Sequence, residues 1–155
     1  MAESEKERTD RQLTELLNEL RVALPGAQVL LAFLFTAPFA TRFGRTTEFE
    51  RALFFGCTVV TAAGVLLLLA PSVYHRMRWT RGGKHDVVVM GHRLFLAGTA
   101  CLAVGLLLAV FLVGEFVFGL TEAVIATVVL GAIVVGTWYV LPVERGADPS
   151  VRREE

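Results

Sequence analysis

Four stretches of this chain carry almost no charge, and each has the length of a bilayer's hydrocarbon core. They are residues 22–40 (VALPGAQVLLAFLFTAPFA), 52–71, 94–113 and 118–141. A helix needs about 20 apolar residues to cross ~30 Å of hydrocarbon. Within that layer no water is present to satisfy backbone N–H and C=O groups, so only helices and closed barrels can span it. Barrel strands alternate in polarity at about ten residues each. The run GVLLLLA at 64–70 does not alternate. The expected fold class is therefore all-α: an integral membrane four-helix transmembrane bundle.

The remaining sequence fits that frame. Charged residues make up 19% of the 155, and they gather at 1–21, 41–51, 72–93 and after Pro142. The formal net charge is zero, which gives no bulk attraction to nucleic acid. Of fifteen Lys and Arg residues, twelve fall in 1–21, 72–93 and 142–155, and three fall in 41–51. The positive-inside rule then places both termini and the 72–93 loop in the cytoplasm, as in a multi-pass membrane protein. Tyr74, Trp79, Trp138 and Tyr139 fall at the same predicted interface, where amphipathic rings are favoured. The start, MAESEKERTDRQLTELLNEL, has no apolar core or cleavage site and does not read as a signal peptide.

That N-terminal segment has its own pattern. Leu13, Leu16, Leu17, Leu20 and Leu24 share one helical face, with Arg11, Glu15, Asn18 and Glu19 on the other. Ser4–Glu7 and Thr9–Gln12 both have the spacing of a capping box. Pro25-Gly26 interrupts the pattern. One expectation is an interfacial helix over 1–24 that bends at Pro25 into the membrane. The other is a straight helix running on into the first span with a proline kink. The division expected is thus a cytoplasmic amphipathic helix over 1–24, a transmembrane bundle over 25–142 and a disordered cytoplasmic tail over 143–155.

Lipid provides no hydrophobic drive for helix pairing, so small and polar residues must provide the contacts. Candidate stripes are Gln28, Ala32 and Thr36 in the first span, Gly56, Thr61 and Gly64 in the second, Ala97, Cys101 and Gly105 in the third, and Ala123, Thr127 and Gly131 in the fourth. Ala132 and Gly136 make a second small pair in the fourth. Such seams serve packing within one chain or between copies.

Chemistry-bearing residues lie at the ends of the spans. The stretch YHRMRWTRGGKHDVVVMGHR (74–93) contains His75-Arg76 and His92-Arg93, near the ends of neighbouring spans. Three readings stay open: headgroup anchoring, a metal or haem site on His75 and His92, and a pH-sensitive cluster in which Glu15 and Glu19 meet Arg76 or Arg93. On the opposite side, Arg51 and Glu122 form a candidate rim pair, and Glu122 is the nearest carboxylate to the membrane that a proton-coupled carrier could use. The middles of all four spans lack Asp, Glu, Lys, Arg and His. Cys57 and Cys101 read as buried thiols. No G-x-S-x-G, H-E-x-x-H or P-loop is present, so no enzymatic activity, cofactor or metal is expected.

Two runs carry a resemblance. TELLNELRVALPGAQVLLAFLFTAPF (14–39) and APSVYHR (70–76) resemble a family of small actinobacterial membrane proteins of unknown function, some of which have carried a sodium–proton antiporter label. The resemblance implies four transmembrane helices, a bacterial cytoplasmic (inner) membrane and no assigned activity. If one region works, it is the elbow of Glu19, Arg21 and Gln28 against the His75–Arg93 stretch. The expected partners are the lipid bilayer and a second copy or another membrane protein. The expected role is a non-enzymatic oligomeric scaffold or accessory subunit. The alternative is a small transport protein whose path is lined by Gln28, Thr36, Thr61 and Thr127.

Overall fold

A computed structural model of the chain describes residues 5–41, 43–78 and 84–140. Side chains are described throughout these except at 5–10, 12–13, 16–17, 45, 74–89 and 139–140. Four long helices account for nearly all of the described residues: α1 (Glu5–Thr36), α2 (Glu48–Arg78), α3 (Lys84–Val117) and α4 (Leu120–Val135). Each contains a segment long and apolar enough to cross a bilayer: Asn18–Phe39, Glu48–Val73, Met90–Val117 and Leu120–Trp138. No strand occurs among the described residues. The all-α class with four membrane-length helices is as expected, and the chain has the make-up of a multi-pass membrane protein. The expected tail at 143–155 lies outside the described residues.

The amphipathic segment and the first span form one helix. α1 runs 32 residues without a break, with Pro25 inside it. A proline there withholds a donor from the Arg21 carbonyl, a cost of about 3 kcal/mol in water, yet such prolines are accepted in membrane helices. Leu20, Ala27 and Leu34, seven residues apart, are α1's buried core positions, with Leu20 only 2% exposed. Leu20, from the leucine stripe, is thus on one buried line with Ala27 and Leu34 of the apolar segment, with α1 packed on α2. Arg11, Glu15, Asn18 and Glu19 are exposed as their pattern requires. Thr9–Gln12 sits inside α1 and is not a helix start, whereas Ser4 lies outside the described residues.

Short turns join the remaining helices. Two 3₁₀ turns, Ala37–Phe39 and Phe43–Arg45, lead from α1 to α2. α2 opens on a capping box: the Glu50 N–H donates to Thr47 Oγ1 at 3.2 Å, and the Thr47 N–H and hydroxyl both donate to Glu50 Oε2. Between α3 and α4 only Phe118 and Gly119 lie outside a helix. Gly119 has φ +111°, a conformation that side chains with a Cβ rarely adopt, and the Ala123 N–H donates to its carbonyl. The chain ends its described part in a π-turn, Gly136–Val140, with Trp138 exposed.

The chain divides into two compact units, Met1–Leu106 and Leu107–Glu155, with the division inside α3. In the first unit the close contact is between α2 and α3. A Cβ placed on Gly64 would sit 3.0 Å from the Gly98 carbonyl oxygen, and one on Gly98 would sit 2.9 Å from the Leu68 side chain and 3.1 Å from the Gly64 carbonyl. A Cβ on Gly105 would fall 2.2 Å from Thr61 Oγ1. Cys57, Thr61 and Leu68 of α2 are fully buried. Their polar atoms are bonded: Thr61 donates to the Cys57 carbonyl at 2.8 Å and the Cys57 thiol donates to the Gly105 carbonyl at 3.2 Å. The α3 side of the seam is thus Gly91, Gly98 and Gly105, all buried and seven residues apart. Of the expected stripe Ala97–Cys101–Gly105 only Gly105 is buried; Ala97 is exposed. Likewise Gly56 on α2 is exposed while Thr61 and Gly64 are buried. A seven-residue spacing returns to one helix face more faithfully than an i, i+4, i+8 run does, and the antiparallel α2–α3 pair follows the former.

In the second unit a Cβ on Gly114 of α3 would lie 3.0 Å from Ala123 Cα of α4, and one on Gly131 would lie 3.8 Å from Leu107. Ala123 is fully buried. Here the expected stripe Ala123–Thr127–Gly131 does face its neighbour, the C-terminal half of α3. Gly105→Ala should destabilise the protein by about 1–3 kcal/mol, because the new methyl must displace the Thr61 hydroxyl. Adding Thr61→Ala should restore part of that loss, and Gly56→Ala, with open space around it, should cost little. Thermal unfolding of the purified variants in one detergent checks all three.

Candidate functional site

The residues expected to form a cytoplasmic cluster are spread over three helices of the first unit. Glu15, Glu19, Arg21 and Gln28 lie on α1, and His92 and Arg93 lie on α3; all six are exposed. His75 and Arg76 belong to the last turns of α2, and their side chains lie outside the described residues. The stretch 74–93 is mostly helix: α2 continues to Arg78 and α3 begins at Lys84.

Backbone register fixes the depth of the two histidines. Cys57 meets Gly105 and Gly64 meets Gly98. Extending this antiparallel register sets Pro71 opposite Gly91, and both are buried. His92 then lies opposite Ala70, about five residues or ~7.5 Å nearer the bilayer centre than His75. Among the described residues, no group of three or more His, Cys, Asp or Glu is placed to hold a metal ion.

Among the described residues, Glu15 and Glu19 form no ion pair with α3, Arg93 included. Glu15 faces Arg11 one turn earlier, with Oε1 3.8 Å from Nε and both side chains exposed. Such a pair contributes a few tenths of a kcal/mol. On α1 itself, at 100° per residue, Glu15 and Glu19 point well away from Arg21 and Gln28, which share a face.

At the opposite end, Arg51 has local partners. Its Nε donates to Thr46 Oγ1 at 3.2 Å and its Nη2 donates to the Gly44 carbonyl at 3.4 Å. Thr46 Oγ1 in turn donates to the Phe43 carbonyl at 2.7 Å, and the Phe43 ring meets Phe54 edge-on at 5.1 Å. Arg51 therefore ties the 43–46 turn to the first turn of α2. Glu122, in the second unit, lies exposed in the first turn of α4, where an anion favours the positive end of the helix dipole.

The polar residues expected to line a path do not share one surface. Gln28 and Thr36 are exposed on α1, whereas Thr61 is sealed between α2 and α3. The span hydroxyls mostly turn onto their own helices: Thr36 to the Phe33 carbonyl, Thr58 to Phe54, Thr99 to Phe95 and Thr137 to Ile133. Among the described residues, two buried side-chain oxygens, both in the second unit, have no partner: Glu115 Oε2 and Thr127 Oγ1. The residues that sequence reasoning missed are Gly98, which closes the α2–α3 seam, and Thr47 and Glu50, which cap α2. Their signals were present as the Gly91–Gly98–Gly105 spacing and the T-E-F-E run at 47–50.

A family model matches residues 2–142. The chain belongs to a family of unknown function, DUF6328. The match takes in all four spans and the whole stretch 74–93, so the resemblance carried by residues 14–39 and 70–76 is to an uncharacterised family, and membership in DUF6328 brings no activity with it. No curated protein and no solved structure matches the chain.

Thr127→Val should leave stability unchanged or raise it by about 1 kcal/mol, since an unpaired buried hydroxyl is replaced by a methyl of the same shape. Thermal unfolding checks this, and a fall of similar size would show that the hydroxyl has a bonded partner.

Proposed function

We propose that this protein is a non-enzymatic, oligomeric scaffold or accessory subunit of the bacterial cytoplasmic membrane, with both termini in the cytoplasm. The observation that carries the reading is the direction of its unused chemistry. Inside the first unit the close α2–α3 seam leaves no cleft between glycine backbones, and its polar atoms are bonded to one another. What remains available faces outward: the Gln28 amide, and a broad apolar surface that includes Val29, Phe33, Phe55 and Leu66. Outward-facing groups suit contact with lipid and with other helices. The orientation rests on the twelve-to-three distribution of basic residues.

Two measurements test this. With Cys57 and Cys101 replaced by Ala, an impermeant maleimide should label Gly44→Cys in intact cells and Gly83→Cys only after lysis; the reverse pattern rejects the orientation. The purified protein in mild detergent should run as an oligomer or with a second membrane protein, and vesicles containing it should hold their proton and sodium gradients. Protein-dependent collapse of either gradient, slowed by Gln28→Leu, would favour transport instead.

A further inference from the structure

Resting on the oligomeric reading above, we infer that the exposed α1 face bearing Gln28 is the seam on which a second copy of this chain docks. Gln28 lies at the centre of the apolar segment Asn18–Phe39, ~15 Å from either end. It is exposed there. A primary amide facing hydrocarbon costs several kcal/mol if it finds no partner. Every threonine hydroxyl described in the spans of the first unit is bonded to its own helix. Gln28 makes no such bond and stands out among them.

Its neighbours on the helix suit close approach. Arg21, Pro25, Gln28, Ala32 and Thr36 fall within an arc of about 80°, and all are exposed. The buried positions Leu20, Ala27 and Leu34 occupy a different face, toward α2. Ala32 is small, the Thr36 hydroxyl is folded back on the Phe33 carbonyl, and Pro25 leaves the Arg21 carbonyl without its usual donor. The face thus offers one donor–acceptor group at the midplane, a spare acceptor one to two turns away, and little side-chain bulk between them.

The occupant follows from symmetry. Copies in one membrane share one topology, so two α1 helices related by a two-fold axis run parallel, with identical residues at the same depth. A residue near that axis meets itself. An amide carries both an acceptor oxygen and donor hydrogens, so Gln28 pairs with Gln28 of a second copy, each donating to the other. A carboxylate or an ammonium at this position would repel its twin.

The test uses the full chain with Cys57→Ala and Cys101→Ala, first shown to keep the wild-type oligomeric state. Single cysteines are then placed on the proposed seam at Ala32 and Thr36, on the α2-facing side at Ala27 and Leu34, and on α4 at Ile125 and Val128. Mild oxidation in native membranes should join copies through Ala32→Cys and Thr36→Cys and not through Ala27→Cys or Leu34→Cys. With native cysteines present, Gln28→Leu should raise the dimer dissociation constant in detergent by about 3- to 30-fold, the range found for interhelical polar contacts in membranes. Gln28→Asn should recover part of it while both variants keep wild-type helicity. Cross-linking through α4 alone, with Gln28→Leu pairing as tightly as wild type, overturns this seam and leaves the oligomer standing. A disulfide between Ala32→Cys and Val128→Cys within one chain also overturns it, since α4 would then cover the face. A monomer that no position cross-links rejects both the seam and the oligomeric reading.

Discussion

The structure depends on how closely two glycine-bearing backbones approach. In lipid, apolar side chains gain nothing by leaving one apolar surrounding for another, so helices associate through dispersion and polar contacts at short range. Gly64 and Gly98 lie so close that either Cβ would come about 3 Å from the other's carbonyl oxygen. This approach lets Leu68 cover Gly98, Thr61 fit beside Gly105 and the Cys57 thiol reach a carbonyl on the next helix. α2, with 28% of its most apolar window buried against 11% for α1, is the helix around which the first unit is built.

That economy of contact bears on function. A chain whose internal seam is made of glycine, threonine and cysteine leaves its bulky apolar residues facing outward. Phe33, Phe55 and Val113 are each more than 60% exposed. In water that would drive aggregation; in a bilayer it is the ordinary lipid-facing surface. The outward groups that are not ordinary there are the polar ones, and the amide at the centre of α1 is foremost among them. A protein organised in this way offers other helices a surface and offers a solute nothing within the α2–α3 seam.

Much of the architecture was legible because charge is so strongly excluded from hydrocarbon. The four spans and the absence of strands follow from where Arg, Lys, Asp and Glu stop. Helix ends were less legible. The edges of an apolar run mark the bilayer, not the helix, and α1, α2 and α3 all extend into polar sequence. Pro25 misled for a related reason: a proline signal weighted for water overstates the break inside a membrane helix, where α1 runs on unbroken. The seams were half legible. Small residues at i, i+4, i+8 named Gly105 but also Ala97, and the less regular set on α2 named Gly64 but also Gly56, because in a glycine- and alanine-rich sequence several registers look alike and only the partner helix selects one. Gly98 was in plain view at seven residues from Gly91 and from Gly105. The contacts of Arg51 were the least legible, since it is held by a threonine hydroxyl and a carbonyl of its own loop, a geometry no spacing rule anticipates.

The connection at Phe118-Gly119 has a consequence for biogenesis. Two residues of extended chain reach ~7 Å at most, far less than the thickness of a membrane. α3 and α4 cannot then be released into lipid one after the other with slack between them. The two helices enter a bilayer as a single hairpin, with Glu115 and Glu122 on either side of its turn. The glycine at φ +111° that closes the hairpin is therefore what lets two membrane-length helices travel as one piece.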